Sequence, residues 1–350
     1  MSYGPLQGVL LHGAGGFAAG SFYAPLKKVK GWAWESSWLT MGVAALAVTP
    51  WIAALVTTPH LVEVLHDSPL RSIGLAYLFG VLWGVGGMTF GLTMRYLGMG
   101  LGMAVALGFC AVFGTLIPPI VGGTIDDLVQ TGSGRAIIGG IGVCLVGICI
   151  CGLAGRRRDG EVTTADNGDK AAEYALIKGL LVATVAGILS ACFAFGLAVG
   201  KPIAETSIGF GADDLYSNNA VLVVILMGGF TTNLLWCLGL NVRNRTLSDY
   251  VTGPARRQAF NYVMAGVGGV IWYFQFFLYG MGTTRLGETY GFSSWSLHMA
   301  FIIVFSNLWG LYFREWRGCS HRTKAMVWIG IVTLIVSSAI IGYGNYLAGG

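Results

Sequence analysis

The sequence predicts an all-α membrane protein in which ten transmembrane helices form two inverted five-helix repeats. Three observations lead to this prediction. The 350-residue chain is 55% hydrophobic and only 11% charged, with a mean hydropathy of +0.68, whereas soluble domains carry about 25% charged residues. Apolar segments recur along the whole chain. The two halves of the chain also share a pattern of tryptophan and glycine.

Each predicted helix is an apolar stretch of about 20 residues, the length that crosses the hydrocarbon core of a bilayer. Charged residues are concentrated between these stretches, and most connections are short. The predicted spans are residues 5–25, 34–57, 71–94, 99–122, 135–155, 174–199, 217–240, 258–281, 291–313 and 324–347. The sequence therefore predicts a polytopic membrane protein.

Lys and Arg are distributed unequally between the two sides that ten spans create. Of the 21 residues, only Arg71, Arg135, Lys201 and Arg285 follow even-numbered spans. Cytoplasmic loops are enriched in Lys and Arg, so the basic side is predicted to be cytoplasmic and both termini extracytoplasmic. The net charge of +5 is interpreted as an orientation signal rather than a nucleic-acid-binding surface.

A polar segment separates the two predicted repeats. Residues 156–173 are interpreted as a cytoplasmic linker between an N-terminal repeat, residues 1–155, and a C-terminal repeat, residues 174–350. Residues 80–98 and 269–287 match at a constant offset in Gly-Val-x-Trp, a central Gly and a final Leu-Gly. Five spans is an odd number, so the second repeat would be inverted, as in many secondary transporters.

Two histidines lie inside predicted spans without Asp, Glu, Lys or Arg. His12 and His298 each follow the start of their span by seven residues, which places both imidazoles roughly 10 Å below the extracytoplasmic boundary. Gln275 reaches a similar depth if the eighth span ends near residue 281. Intramembrane ionisable groups usually face a partner or a wet cavity. A helix–helix hydrogen bond without a role in transport is the alternative interpretation.

Aromatic and polar side chains near this level favour a sugar as the ligand. Trp272 and Gln275 share one face of the eighth span, while Tyr23 and Trp295 belong to the two spans that carry the histidines. A neutral polyol is bound by an aromatic ring against its C–H face and by polar groups at its hydroxyls. The predicted substrate-binding residues are His12, Tyr23, Trp272, Gln275, Trp295 and His298.

The predicted coupling ion is a proton, and His298 and His12 are its predicted carriers. No Asp or Glu lies deep within a predicted span, and histidine has an unperturbed pKa of about 6.5, close to physiological pH. His298 is preferred because Ser294 lies one turn before it and would orient its ring. We expect no cofactor, no metal and no enzymatic activity, because the sequence shows neither metal-ligand spacing nor a nucleophile motif.

Three long motifs resemble the L-rhamnose–proton symporter family. They are FYAPLKKVKGWAWE at 22–35, GLTMRYLGMGLGMAVALG with GTLIPPIVGG at 91–123, and IWYFQFFLYGMG with SSWSLHMAF at 271–301. The resemblance implies the ten-helix architecture of the drug/metabolite transporter superfamily and proton-driven L-rhamnose uptake across a bacterial inner membrane. The resemblance places eight residues on matching positions, namely His12, Tyr23, Lys27, Arg95, Trp272, Gln275, Trp295 and His298.

Two other functions are compatible with the same residues. A drug or metabolite exporter of the same fold would move a different substrate outward, which uptake of labelled sugars would reveal. A membrane sugar sensor would bind the sugar without flux, which intact proteoliposomes would reveal. The predicted partners in the preferred interpretation are a monosaccharide, a proton and the lipid bilayer, with no nucleic acid.

Overall fold

The computed structural model describes residues 4–97, 99–121, 123, 125–163, 176–286 and 293–348. Within these ranges the regular structure is helical and no strand occurs. We label the long helices α1 to α10 in chain order: Gly4–Ser21, Trp34–Thr57, Leu70–Leu97, Met99–Val121, Gly132–Thr163, Leu176–Val199, Asn218–Asn244, Ala255–Leu286, Ser293–Tyr312 and His321–Ala348. Shorter helices in the connections are Tyr23–Leu26, Leu61–Asp67, Ile125–Gln130, Lys201–Gly209, Asp214–Tyr216 and Leu247–Tyr250.

Eight helices in the described part of the chain are long and apolar enough to cross a membrane, namely α2, α3 and α5 to α10. Each overlaps one of the predicted spans, which identifies a multi-pass membrane protein. Helices α1 and α4 occupy the two remaining predicted segments, and their membrane crossing stays a prediction. Large apolar side chains such as Trp236 and Trp328 are about half exposed, as expected where a helix faces lipid.

Two compact units make up the chain. The first contains Met1–Phe17, Val85–Ala194 and Gly282–Gly350, and the second contains Ala18–Gly84 and Phe195–Met281. The borders of the units fall inside α1, α3, α6 and α8, so each unit draws residues from both halves of the sequence. Helix α5 continues through the first part of the predicted linker to Thr163; residues 164–173 of that linker lie outside the described residues.

Helices α5 and α10 pack closely in the first unit. An ideal Cβ atom at Gly140 would lie 2.6 Å from Ile341, and one at Gly147 would lie 2.9 Å from Leu334. The contacts move backwards along α10 as they move forwards along α5, so the two helices are antiparallel. Small residues at a helix interface let the backbones approach, which strengthens packing where lipid surrounds the helices.

Glycines also bring helices together in the second unit. A Cβ atom on Gly80 of α3 would overlap the carbonyl oxygen of Ile225 in α7, and one on Gly269 of α8 would overlap the carbonyl oxygen of Met41 in α2. Helix α2 contains a π-helical segment, Val43–Val48, just after this contact. Helices α2 and α7 also touch at their ends, where the Asn219 amide donates to the Thr57 hydroxyl at 2.7 Å.

Candidate functional site

His12 of α1 and His298 of α9 form a ring pair inside the first unit. The imidazole centroids are 5.8 Å apart and the rings meet edge to face. His12 is 0% exposed and His298 is 3% exposed. The two histidines that the sequence places at one depth are therefore neighbours. This contact places two titratable side chains next to each other in a buried position.

The ring pair depends on close packing of α1 against α8 and α9. An ideal Cβ atom at Gly282 of α8 would lie 2.8 Å from Nε2 of His12 and 3.0 Å from two ring carbons. The His12 ring thus fills the space that any side chain at position 282 would need. One turn after His12 on α1, a Cβ atom on Gly16 would overlap Phe301 of α9. Glycine at both positions lets the three helices meet around the imidazoles.

The surroundings of the ring pair are largely apolar. A buried cluster formed by Ile137, Ile141, Leu286, Leu297 and Ile341 includes the residue before His298, and Val9, Leu116 and Phe301 pack against it. Helices α1 and α9 contain no Asp, Glu, Lys or Arg. On α8, Arg285 follows Gly282 by about one turn. Among the described residues, the apolar cluster packs beside the pair, and the two imidazoles are titratable neighbours of each other.

Trp295 and Ser294, one turn from His298, make other contacts. The Trp295 indole donates to the carbonyl oxygen of Cys110 at 3.0 Å and stacks on Phe193 at a centroid distance of 5.9 Å. It is 4% exposed. Ser294 accepts a hydrogen bond from the Thr283 hydroxyl at 3.4 Å. In this conformation Trp295 ties α9 to its neighbours, and its sugar contact stays a prediction, as does the orienting role of Ser294.

Trp272 lies in an aromatic cluster in the second unit. We define the aromatic cluster as Phe22, Trp38, Trp83, Trp272 and Phe276. Trp272 stacks on Phe22 at a centroid distance of 5.5 Å and lies 5.7 Å from Trp38, 6.4 Å from Trp83 and 5.9 Å from Phe276. The cluster joins α2, α3 and α8 with Phe22, the residue after α1, and contains three indole rings.

Gln275 and Tyr23 border the aromatic cluster. Gln275 is 6% exposed and lies one turn after Trp272 on α8. The Tyr23 ring is 41% exposed and lies 5.3 Å from Phe22 and 6.4 Å from Trp38. Sugars are commonly bound by polar groups at their hydroxyls and by flat rings at their C–H groups, and the sugar contacts of Gln275 and Tyr23 stay predictions.

The eighth helix is longer than its apolar run. Helix α8 continues to Leu286, five residues beyond the end that the apolar run suggests. Gln275 is therefore farther from the end of its helix than the sequence predicts. It belongs to the second unit, whereas both histidines belong to the first. The convergence of all three on one site stays a prediction.

Sequence reasoning missed three groups that the structure places in buried or aromatic environments. Trp38 and Trp83 are members of the aromatic cluster, and Trp83 had a usable signal because it matches Trp272 in the repeat. Glu35 is only 6% exposed at the start of α2, where its carboxylate accepts from the Asn244 amide and the Thr246 hydroxyl, both at 2.9 Å. Glu35 is thus a buried carboxyl group in the second unit.

In the residues that the structure describes, His, Cys, Asp and Glu do not gather into a group of three that would hold a metal ion. The arrangement instead offers an imidazole pair in one unit and an aromatic cluster with an amide in the other. Imidazoles are the side chains that titrate near neutral pH, and aromatic rings with a few polar groups are typical of polyol sites.

Comparison with known proteins gives one consistent family. The family model described as L-rhamnose-proton symport protein matches residues 1–347. Curated relatives named L-rhamnose-proton symporter from Salmonella paratyphi A (strain ATCC 9150 / SARB42), Salmonella newport (strain SL254) and Salmonella enteritidis PT4 (strain P125109) are each 35% identical over 346 residues. The alignments cover 98% of this chain and 99% of each relative.

Proposed function

Because the chain belongs to the L-rhamnose-proton symport protein family, we propose that it carries L-rhamnose into the cell together with a proton. The observation that carries this proposal is the match over residues 1–347, which includes every residue of the imidazole pair and the aromatic cluster. The family is one of transporters rather than enzymes, and its description favours symport over export or sensing. Membership also supports a multi-pass location in the bacterial inner membrane.

The architecture that fits this function is ten spans in two inverted repeats. Glycine contacts support it: Gly80 packs the third helix of the first half on the second helix of the other half, and Gly269 makes the equivalent contact between α8 and α2. The fifth helices of the two halves, α5 and α10, are antiparallel, as inversion requires. The second unit also takes the same portion of each half, from within its first helix into its third.

The proposed orientation places both termini outside the cytoplasm and can be tested with introduced cysteines. Ala165→Cys, in the predicted linker beyond the described residues, should resist an impermeant thiol reagent applied to intact cells and react after lysis. Glu63→Cys is the control, because Glu63 is 59% exposed in the connection on the opposite predicted side and should react without lysis. Ready labelling at 165 in intact cells would reverse the orientation.

The proposed sugar site consists of Trp272, Gln275 and Tyr23, with His12, Trp295 and His298 as the further candidates. The test is thermal stabilisation of the purified protein by a panel of pentoses, hexoses and deoxyhexoses. A ligand at 100-fold excess over its Kd adds about 2.7 kcal/mol of stability. L-rhamnose should give the largest shift, and a panel without any stabilising deoxyhexose would contradict the proposed substrate.

Gln275→Ala should weaken L-rhamnose binding by roughly 1–3 kcal/mol, because it removes a buried amide that bonds a sugar hydroxyl. Asn307→Ala is the matched control, since the Asn307 amide is satisfied within its own helix by the carbonyl of Ile303 at 2.9 Å. Calorimetry on both folded variants gives the measurement. Unchanged affinity in Gln275→Ala would remove Gln275 from the site.

The proposed proton site is the imidazole pair, with His298 as the carrier and His12 as its neighbour. Like charges this close disfavour each other, so the pair should hold one proton rather than two. A sugar that stabilises the protonated state binds more tightly to it, and the proton then stabilises the bound sugar by the same free energy. This reciprocity is what couples the two fluxes.

A further inference from the structure

We propose that Trp83 is a second sugar-binding ring that acts with Trp272 and favours a deoxysugar over its hydroxylated analogue. This inference rests on the proposed function, because it assigns a further residue to the sugar site. It adds a helix, α3, to a site that the sequence assigned to α1, α8 and α9.

The repeat brings Trp83 and Trp272 together. The two tryptophans occupy equivalent positions in the matching segments 80–98 and 269–287. Their rings lie 6.4 Å apart with an interplanar angle of 36°. Two residues related by an internal twofold axis can touch only where they lie close to that axis. In inverted-repeat transporters the substrate binds at the repeat interface near the midplane, so contact at the axis points to the site.

The position of the Trp83 ring is set by neighbours on two other helices. An ideal Cβ atom on Gly229 of α7 would lie 2.5 Å from Cζ3 and 2.8 Å from Cε3 of Trp83. The indole therefore packs directly against the backbone of α7 at this glycine. Phe276 of α8 meets the same indole edge to face at 5.4 Å. The ring is half-buried. Gly229 therefore determines where this aromatic surface lies relative to Trp272.

The chemistry of L-rhamnose suits such a surface. The sugar is a 6-deoxyhexose, so its C6 is a methyl group, whereas C6 of L-mannose is a hydroxymethyl group. The rings around Trp83 are apolar, whereas the Gln275 amide lies one turn beyond Trp272 on α8. The methyl group would face the Trp83 side and the ring hydroxyls the amide side. Hydrophobic contact of this kind distinguishes a methyl group from a hydroxymethyl group by up to about 100-fold.

Four variants test the proposal by their affinity for L-rhamnose and L-mannose. Trp83→Ala should lower L-rhamnose affinity roughly tenfold and reduce the preference for L-rhamnose over L-mannose, whereas Trp83→Phe should retain most of both. Gly229→Ala should act like Trp83→Ala, because its methyl group displaces the ring. Gly239→Ala, on the same helix as Gly229, should change neither value. No heavy atom of a described neighbour lies within 4 Å of the Cβ position of Gly239.

Trp272→Ala separates this proposal from the proposed function. Suppose that Trp272→Ala loses affinity while folded Trp83→Ala keeps wild-type affinity and sugar preference. That result would overturn the role of Trp83 and leave the sugar site standing. Wild-type affinity in both variants would overturn the sugar site itself. If Trp83→Ala does not fold, unchanged sugar preference in folded Gly229→Ala and Trp83→Phe would overturn the role of Trp83.

Discussion

His298→Gln is expected to abolish the accumulation of L-rhamnose driven by a pH gradient while preserving exchange of the sugar. Glutamine keeps a polar contact at this buried position but cannot titrate. Without proton binding, sugar affinity should become independent of pH between roughly 5.5 and 8. Accumulation, exchange and affinity are measured in proteoliposomes and with the purified protein, and the accumulation ratio should fall to one.

His66→Gln is the matched control for this prediction, because the His66 side chain is 86% exposed in a connection between helices. It should accumulate sugar like the unchanged protein. Full accumulation by His298→Gln would refute the assignment and direct attention to His12 or the buried Glu35. Loss of all sugar binding would instead make His298 a sugar ligand.

Glycine variants test whether the two imidazoles act as a pair. Gly282→Ala places a methyl group 2.8 Å from Nε2 of His12 and should displace that ring, so coupling should weaken although both histidines remain. Gly13→Ala, whose Cβ atom would make an ordinary 3.7 Å contact with Phe301, should couple normally. Equal coupling in the two variants would indicate that His298 works alone.

The second large effect is expected from Gly80→Ala and Gly269→Ala. Each adds a methyl group that overlaps a backbone carbonyl of another helix, Ile225 or Met41 respectively. Overpacking costs about 1–3 kcal/mol, and a clash with backbone should lie at or above the upper value. Since both methyl groups meet a backbone carbonyl, and the proposed inverted repeat would make the two contacts equivalent, both variants should lose similar stability in thermal unfolding experiments.

Two neighbouring glycines serve as controls for these variants. Gly74 of α3 and Gly266 of α8 have no heavy atom of the described chain within 4 Å of their Cβ positions. Gly74→Ala and Gly266→Ala should therefore be neutral or gain up to about 1 kcal/mol, because alanine favours the helix. Wild-type stability in Gly80→Ala or Gly269→Ala would show that the helices are not packed at these points.

Hydropathy predicts much of the fold because lipid imposes a simple rule: a span must be apolar and must satisfy its own backbone. The exact helix ends do not follow from that rule. Helix α8 continues through Thr283, Thr284 and Arg285 because these residues are compatible with a helix, although the apolar run has ended. Gln275 is consequently deeper in its helix than hydropathy alone indicates.

The candidate site was only partly predictable. Equal depth on two helices that are predicted to run in the same direction was enough to suggest that His12 and His298 meet. The contacts of Trp272 with Trp38 and Phe22 depend on how each helix is rotated, which local sequence does not determine. Glu35 was missed because its partners, Asn244 and Thr246, lie more than 200 positions away in the chain.

The central claim is that L-rhamnose and a proton cross the membrane together, and the most direct test measures proton movement caused by the sugar. Proteoliposomes with an internal pH indicator and a clamped membrane potential receive external L-rhamnose without an imposed pH gradient. The account predicts acidification of the lumen in step with sugar entry, and none in His298→Gln. Entry of L-rhamnose into wild-type proteoliposomes without acidification would contradict it.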